Sequence, residues 1–120
     1  SSLDDRAQIN SFAVELVDRF GKMPSEVKHL LDILAIKIDC LAAGIEKIDA
    51  GPKGAVVTFR NRAFANPEAL IAYVSEHQER IKVRPDQTIV FRMKAEDDDE
   101  RLRAAGLIAA RLAELAKIAA

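Results

Sequence analysis

Apolar residues in the first part of the chain recur at helical spacing. Ile9, Phe12, Ala13, Leu16 and Phe20 fall on one face of a helix. Gly21 follows the last of them, where a left-handed helix end costs no Cβ strain. Pro24 is predicted at the first position of a second helix, where its missing N–H is no loss. That helix carries two apolar stripes. Val27, Leu30, Leu31, Leu34, Ile38 and Leu41 make one, and Ile33, Ile36 and Cys40 the other. Two stripes predict a helix covered on both sides, hence the hub of the core, with Phe20 and Leu34 as anchors. Gly44 is predicted to end it.

From there the period shortens. Residues 45–50 and 55–60 read as two strands joined by a turn at 51–54, and Ala55, Val57 and Phe59 alternate onto a buried face. Asn66, Pro67 and Glu68 read as a capping amide, a first-turn proline and an acid favoured by the helix dipole. Leu70, Ile71 and Val74 give that helix its apolar side, and it is predicted to run to about His77. Residues 80–84 alternate Arg, Ile, Lys, Val, Arg, a half-buried strand with a basic outer face. A turn at 85–87 leads to a last strand over 88–94, with Ile89, Phe91 and Met93 on one side. Residues 96–100 are all acidic and precede a long helix, where they complement its positive end. Leu102, Ala105, Ile108, Leu112, Leu115 and Ala119 form its predicted core face. The expectation is an α+β fold: about four helices on a sheet of about four strands, a helical hairpin followed by a β-hairpin, in a single domain over 1–120.

Composition narrows the class. At 120 residues the chain is long enough to bury about two-thirds of its unfolded surface. Apolar residues make up 49% and charged residues 31%, ordinary proportions for a globular protein. A net charge of −1 supplies no global field toward nucleic acid or anionic lipid. No apolar run reaches the ~18 residues of a membrane helix, and no signal peptide is visible. The single Cys40 cannot form an internal disulfide, which fits the cytoplasm. The chain opens on Ser-Ser-Leu rather than Met, with a helix almost at once, which reads as a fragment of a longer protein.

Candidate chemistry is sparse. His29 and His77 are the available imidazoles, and each is predicted on a helix without an acidic orienter or a nucleophile. Cys40 sits among apolar residues, where a thiol is an inert small hydrophobe. One Cys and two distant His offer no metal-ligand spacing. Neither a phosphate-binding P-loop nor a dinucleotide fingerprint is present, and residues 51–54 span a hairpin turn too short to cradle a triphosphate. No catalytic residue, metal or cofactor is expected. Two charged sets are left. Glu15, Asp18, Arg19 and Lys22 recur on the polar side of the first helix. Arg80, Lys82, Arg84, Arg92 and Lys94, with Arg60 and Arg62 near by, are predicted to share one strand face, which would suit phosphate contacts. The few aromatics are spent on core positions and leave that face without a stacking platform.

One further pattern carries a resemblance. Glu-Leu-x-Asp-Arg-Phe-Gly-x-Met-Pro over residues 15–24, then Leu30-Leu31, Lys37, Gly44-Ile45 and the Gly-Pro-Lys-Gly of 51–54, resembles the C-terminal domain of the bacterial transcription-repair coupling factor, Mfd. Met23 stands where leucine is commoner, a near volume-neutral change. The resemblance implies a regulatory domain of a large, ATP-dependent DNA translocase, packed on the UvrB-like module of the same parent chain. It implies that the surface recruiting UvrA is covered until the parent engages stalled RNA polymerase. ATP and DNA would be handled by other domains. Glu15, Asp18 and Arg19 match the family motif yet point away from the predicted core, so the resemblance makes them partner-binding residues. A nucleic-acid module using Arg80, Lys82, Arg84 and Arg92 stays open as the alternative.

Overall fold

The computed structural model describes residues 5–118 and contains the elements α1 (Arg6–Phe20), α2 (Ser25–Ala43), β1 (Ile45–Gly51), β2 (Gly54–Phe59), α3 (Pro67–Glu76), β3 (Ile81–Val83), β4 (Ile89–Arg92) and α4 (Asp98–Lys117). A single 3₁₀ turn, Arg60–Arg62, follows β2. The α+β class expected from the pattern is what the chain adopts, with four α-helices and one four-stranded antiparallel sheet among the described residues. The chain divides into two compact units, 1–38 and 39–120, with the boundary inside α2.

In the first unit, the Asp5 side chain caps α1 by accepting the Gln8 N–H at 2.8 Å. Gly21 closes it at φ 83°, its N–H donating to the Val17 carbonyl. The Pro24 carbonyl receives the N–H groups of Val27 and Lys28, so α2 begins one residue later than the proline suggests. The expected apolar hub is not realised here. Phe20 is 78% exposed and Leu30 66%, while Leu34 and Ile38 are half-buried; farther along α2, in the second unit, Leu41 is 70% exposed. Among the described residues of this unit Ile9 alone is buried. Periodicity correctly marked which residues share a face. It carries no information on what covers that face.

The core lies in the second unit. Its sheet runs in the order β1-β2-β4-β3, all neighbours antiparallel. Strand alternation brings Ile45, Ala55, Val57, Phe59, Ile89, Phe91 and Ile81 onto one buried face. Helix α4 lies against β1 and β2, and α3 packs on α4 and β3. The buried side of α4 is Ala104, Ile108, Ala109, Leu112, Ala113 and Leu115. Three alanines there let the helix approach the sheet closely. Leu102 and Ala105, expected on this face, are only half-buried, and Ala119 lies outside the described residues. Val83 is 56% exposed although it shares parity with Ile81, because β3 is a three-residue edge strand.

Local chemistry holds this frame. Gly54 has φ +140°, and a Cβ there would collide with the Phe91 carbonyl oxygen and come 2.9 Å from the Met93 nitrogen, so the strands can approach only at glycine. Asn66 caps α3 by accepting the Ala69 N–H, and its Nδ2 donates to the Ile118 carbonyl at 2.8 Å, tying the start of α3 to the end of α4. The acidic run divides its labour. Asp97 caps α4 by accepting the Glu100 N–H, and the Glu100 carboxylate accepts the Glu96 N–H, both at 2.8 Å. Asp98 and Asp99 sit in the first turn, where the dipole favours them.

Candidate functional site

Helix α1 presents the first candidate surface. Glu15, Asp18, Arg19 and Lys22 are all exposed, as the helical spacing predicts. An Arg19 guanidinium nitrogen lies 3.2 Å from a Glu15 carboxylate oxygen, with the side chains 69% and 59% exposed. An i,i+4 pair so wetted adds only ~0.3–0.5 kcal/mol to the helix. These charges therefore carry almost none of the fold. Val17 and Phe20, interleaved with them in sequence, are exposed as well. At about 3.6 residues per turn these two project from other sides of α1 than the charges, so the stripe itself carries both charge signs and no large apolar side chain.

The second candidate is the outer face of β3 and β4. Lys82 pairs with Val90, and the Arg92 N–H donates to the Arg80 carbonyl at 2.7 Å, so Arg80 lies opposite Arg92. Strand parity then gives Arg80, Lys82, Arg84 and Arg92 one common face, opposite the buried one. All four are exposed. Arg84 closes the hairpin, its N–H donating to the Thr88 carbonyl. Lys94 is paired with Glu96 at 3.3 Å and Arg80 with Glu79 at 3.6 Å, which dilutes the positive field. Phe59, Phe64 and Phe91 are buried in the core, and the Phe59 and Phe64 rings pack 5.2 Å apart. Arg60 and Arg62 lie in the turn after β2, where Arg62 adopts a left-handed φ of 55°.

The isolated nucleophiles and bases are placed as follows. His29 is exposed on α2. His77 closes α3, packs its ring tilted by 56° against Tyr73 with centroids 4.6 Å apart, and has Nδ1 3.4 Å from an Arg80 guanidinium nitrogen. Cys40 is half-buried, and burial first, then the neighbouring Asp39 carboxylate, pushes its thiol pKa up, which suppresses the thiolate. Among the described residues no group of three or more His, Cys, Asp and Glu side chains is arranged to hold a metal, and no helix is long and apolar enough to cross a membrane. Sequence reasoning missed one association. Arg111 of α4 reaches the Tyr73 ring, 5.8 Å from its centroid, and so joins His77 and Arg80. No local signal announces it, because Tyr73 and Arg111 lie 38 positions apart in the sequence.

Comparison with known proteins adds the following. Residues 1–70 match the TRCF domain family. The match includes Glu15, Asp18 and Arg19 and stops before the basic strand face. A transcription-repair-coupling factor from Rickettsia bellii is 36% identical over 90 residues, covering 75% of this chain and 8% of that relative. One from Rickettsia typhi is 33% identical over 96 residues, 80% of this chain and 8% of the relative. The Escherichia coli factor is 30% identical over 76 residues, 63% and 7% of the two lengths. The chain therefore spans only about 8% of the length of these curated relatives.

Proposed function

The chain belongs to the transcription-repair-coupling factor family, and from that premise we propose that it is the non-catalytic, autoinhibitory C-terminal domain of such a factor. It docks on the UvrB-like module of its own parent chain, in the bacterial cytoplasm. In the docked state it masks the surface that recruits UvrA and restrains the translocase. Engagement of stalled RNA polymerase by the parent releases it, and transcription-coupled DNA repair then proceeds. ATP and DNA are handled by the parent's other domains.

The observation that carries this reading is the Glu15–Arg19 pair with Asp18, exposed on α1 and almost irrelevant to the fold. Charges with no fold duty inside a family-matched segment are explained by a partner of complementary charge. Tethering does the rest. A domain on the same chain as its target has an effective concentration up to the millimolar range, so a weak, polar interface suffices to mask and still lets go.

Replacing Glu15 and Asp18 by Lys in the full-length parent turns attraction into repulsion. A shift of ~1.4 kcal/mol changes the open-to-closed ratio tenfold, and UvrA then binds the parent more tightly. A compensating reversal on the UvrB-like module restores masking. Unchanged UvrA affinity across all three proteins, with folding intact, removes the reading.

A second reading has its own observation, the register that aligns Arg80, Lys82, Arg84 and Arg92. Such a face fits phosphates of nucleic acid, and it predicts salt-sensitive binding of duplex DNA that is lost when Lys82 and Arg84 are neutralised. Duplex binding that survives those changes rejects it.

A further inference from the structure

The second unit contains a cleft of about 440 Å³ that neither reading uses, within the usual size range of small-molecule sites. It opens where the last turn of α3, the edge of β3 and β4, and the middle of α4 meet. Phe91 contributes a buried apolar wall. Arg80, Arg92 and Arg111 line the mouth together with His77, and Glu76 is the one carboxylate among the lining residues. Beyond the lining residues, Glu79 and Glu114 pair with Arg80 and Arg111, so the three arginines meet three carboxylates and the cleft carries no fixed excess of charge.

The guanidinium groups are available. Arg80 and Arg111 hold outward partners, Glu79 and Glu114, each at 3.6 Å, with both side chains of each pair largely exposed. Pairs of that kind are readily exchanged. Arg92 has no ion pair among the described residues. The aromatic wall is pre-ordered as well: the Tyr73 and His77 rings pack in a tilted contact, and Arg111 lies over the Tyr73 ring.

We propose that this cleft binds a phosphate dianion, free or as the ester of a small organic molecule, with Arg80, Arg92 and Arg111 as its ligands. Guanidinium forks match phosphate oxygens in parallel N–H···O bonds. A phosphomonoester carries close to two negative charges at neutral pH, so it competes better than a singly charged carboxylate for guanidinium groups that already hold Glu79 and Glu114. Tyr73 and Phe91 give the organic part of an ester apolar surface to lie on. The site is independent of the α1 stripe. It shares Arg80 and Arg92 with the strand-face reading, whereas Arg111 belongs to the cleft alone.

Titration of the isotope-labelled chain with adenosine monophosphate, inorganic phosphate and adenosine, followed by amide chemical shifts, tests this. The expected result is saturable shifts around Tyr73–Ile81 and Arg92 with both phosphates and none with adenosine. Arg111→Gln and Arg92→Gln each weaken binding about tenfold, the loss of one charge-assisted contact, with unchanged melting. Tighter binding of the nucleotide assigns an organic ester; equal binding assigns free phosphate. Absence of saturation at millimolar ligand, equal shifts with adenosine, or unaltered binding in both folded variants overturns the proposal. So does phosphate binding that depends on Lys82 and Arg84 but not on Arg111.

Discussion

The two compact units treat similar apolar residues in opposite ways. In 39–120, strand alternation and the α4 stripe converge, so Val57, Ile89 and Leu112 are almost wholly inaccessible. In 1–38, helices with apolar stripes just as regular leave Phe12, Val17, Phe20 and Leu30 exposed. A periodic stripe specifies a face; only a partner layer makes it a core. The second unit supplies its own layers. The first offers surface, and its charges are the ones proposed to meet a partner.

The sharpest way to break this comparison is truncation on each side of it. Leu112→Ala should cost ~2–5 kcal/mol, the transfer and cavity cost of a filled core site. Phe20→Ala, an exposed position, should stay within ~0.5 kcal/mol. Chemical denaturation of both variants measures the contrast, and equal losses would contradict it. Next comes Gly54→Ala. Positive φ and the collision with the Phe91 carbonyl predict a loss above about 1 kcal/mol, read as a lower denaturation midpoint.

Local and non-local features were unequally legible in the sequence. Helix ends depend on single residues, so Gly21, Gly44, Asn66-Pro67 and the acidic start of α4 were all placed within a residue or two. The alternation of Ala55, Val57 and Phe59 was equally plain. Two things were not available to a pattern argument. The strand order, with β4 between β2 and β3, depends on long-range pairing. The exposure of Phe20 and Leu30 depends on what lies outside their own helices. The same division holds for the sites. Glu15, Asp18 and Arg19 form a local stripe and could be read directly, and alternation along β3 pointed to its basic face. Arg111 beside Tyr73 and His77 is a meeting of distant elements and could not be read.

Smaller effects sharpen the account of the second unit. Asn66→Ala removes both the α3 cap and the bond to the Ile118 carbonyl, with an expected cost of ~0.5–2 kcal/mol in a thermal melt. The smallest effect is titratable. The Asp86 carboxylate accepts from the Thr88 hydroxyl at 2.6 Å and from its N–H at 3.0 Å, and these bonds lower its pKa. A depressed carboxyl pKa gives stability that is present above the unfolded value and lost as pH falls through the folded one. The melting difference between wild type and Asp86→Ala should therefore shrink on acidification. A difference that persists in full at the acid end would show that the turn does not depend on the carboxylate.

The proposal that α1 is a binding surface and not a structural face is tested most directly by titrating this chain against the isolated UvrB-like module. Wild type and the Glu15→Lys, Asp18→Lys double variant are compared under identical salt, with melting as the control. The account predicts saturable binding by wild type and at least about tenfold weaker binding by the variant, equivalent to ~1.4 kcal/mol, with equal melting temperatures. Equal affinity of two equally folded proteins would contradict it.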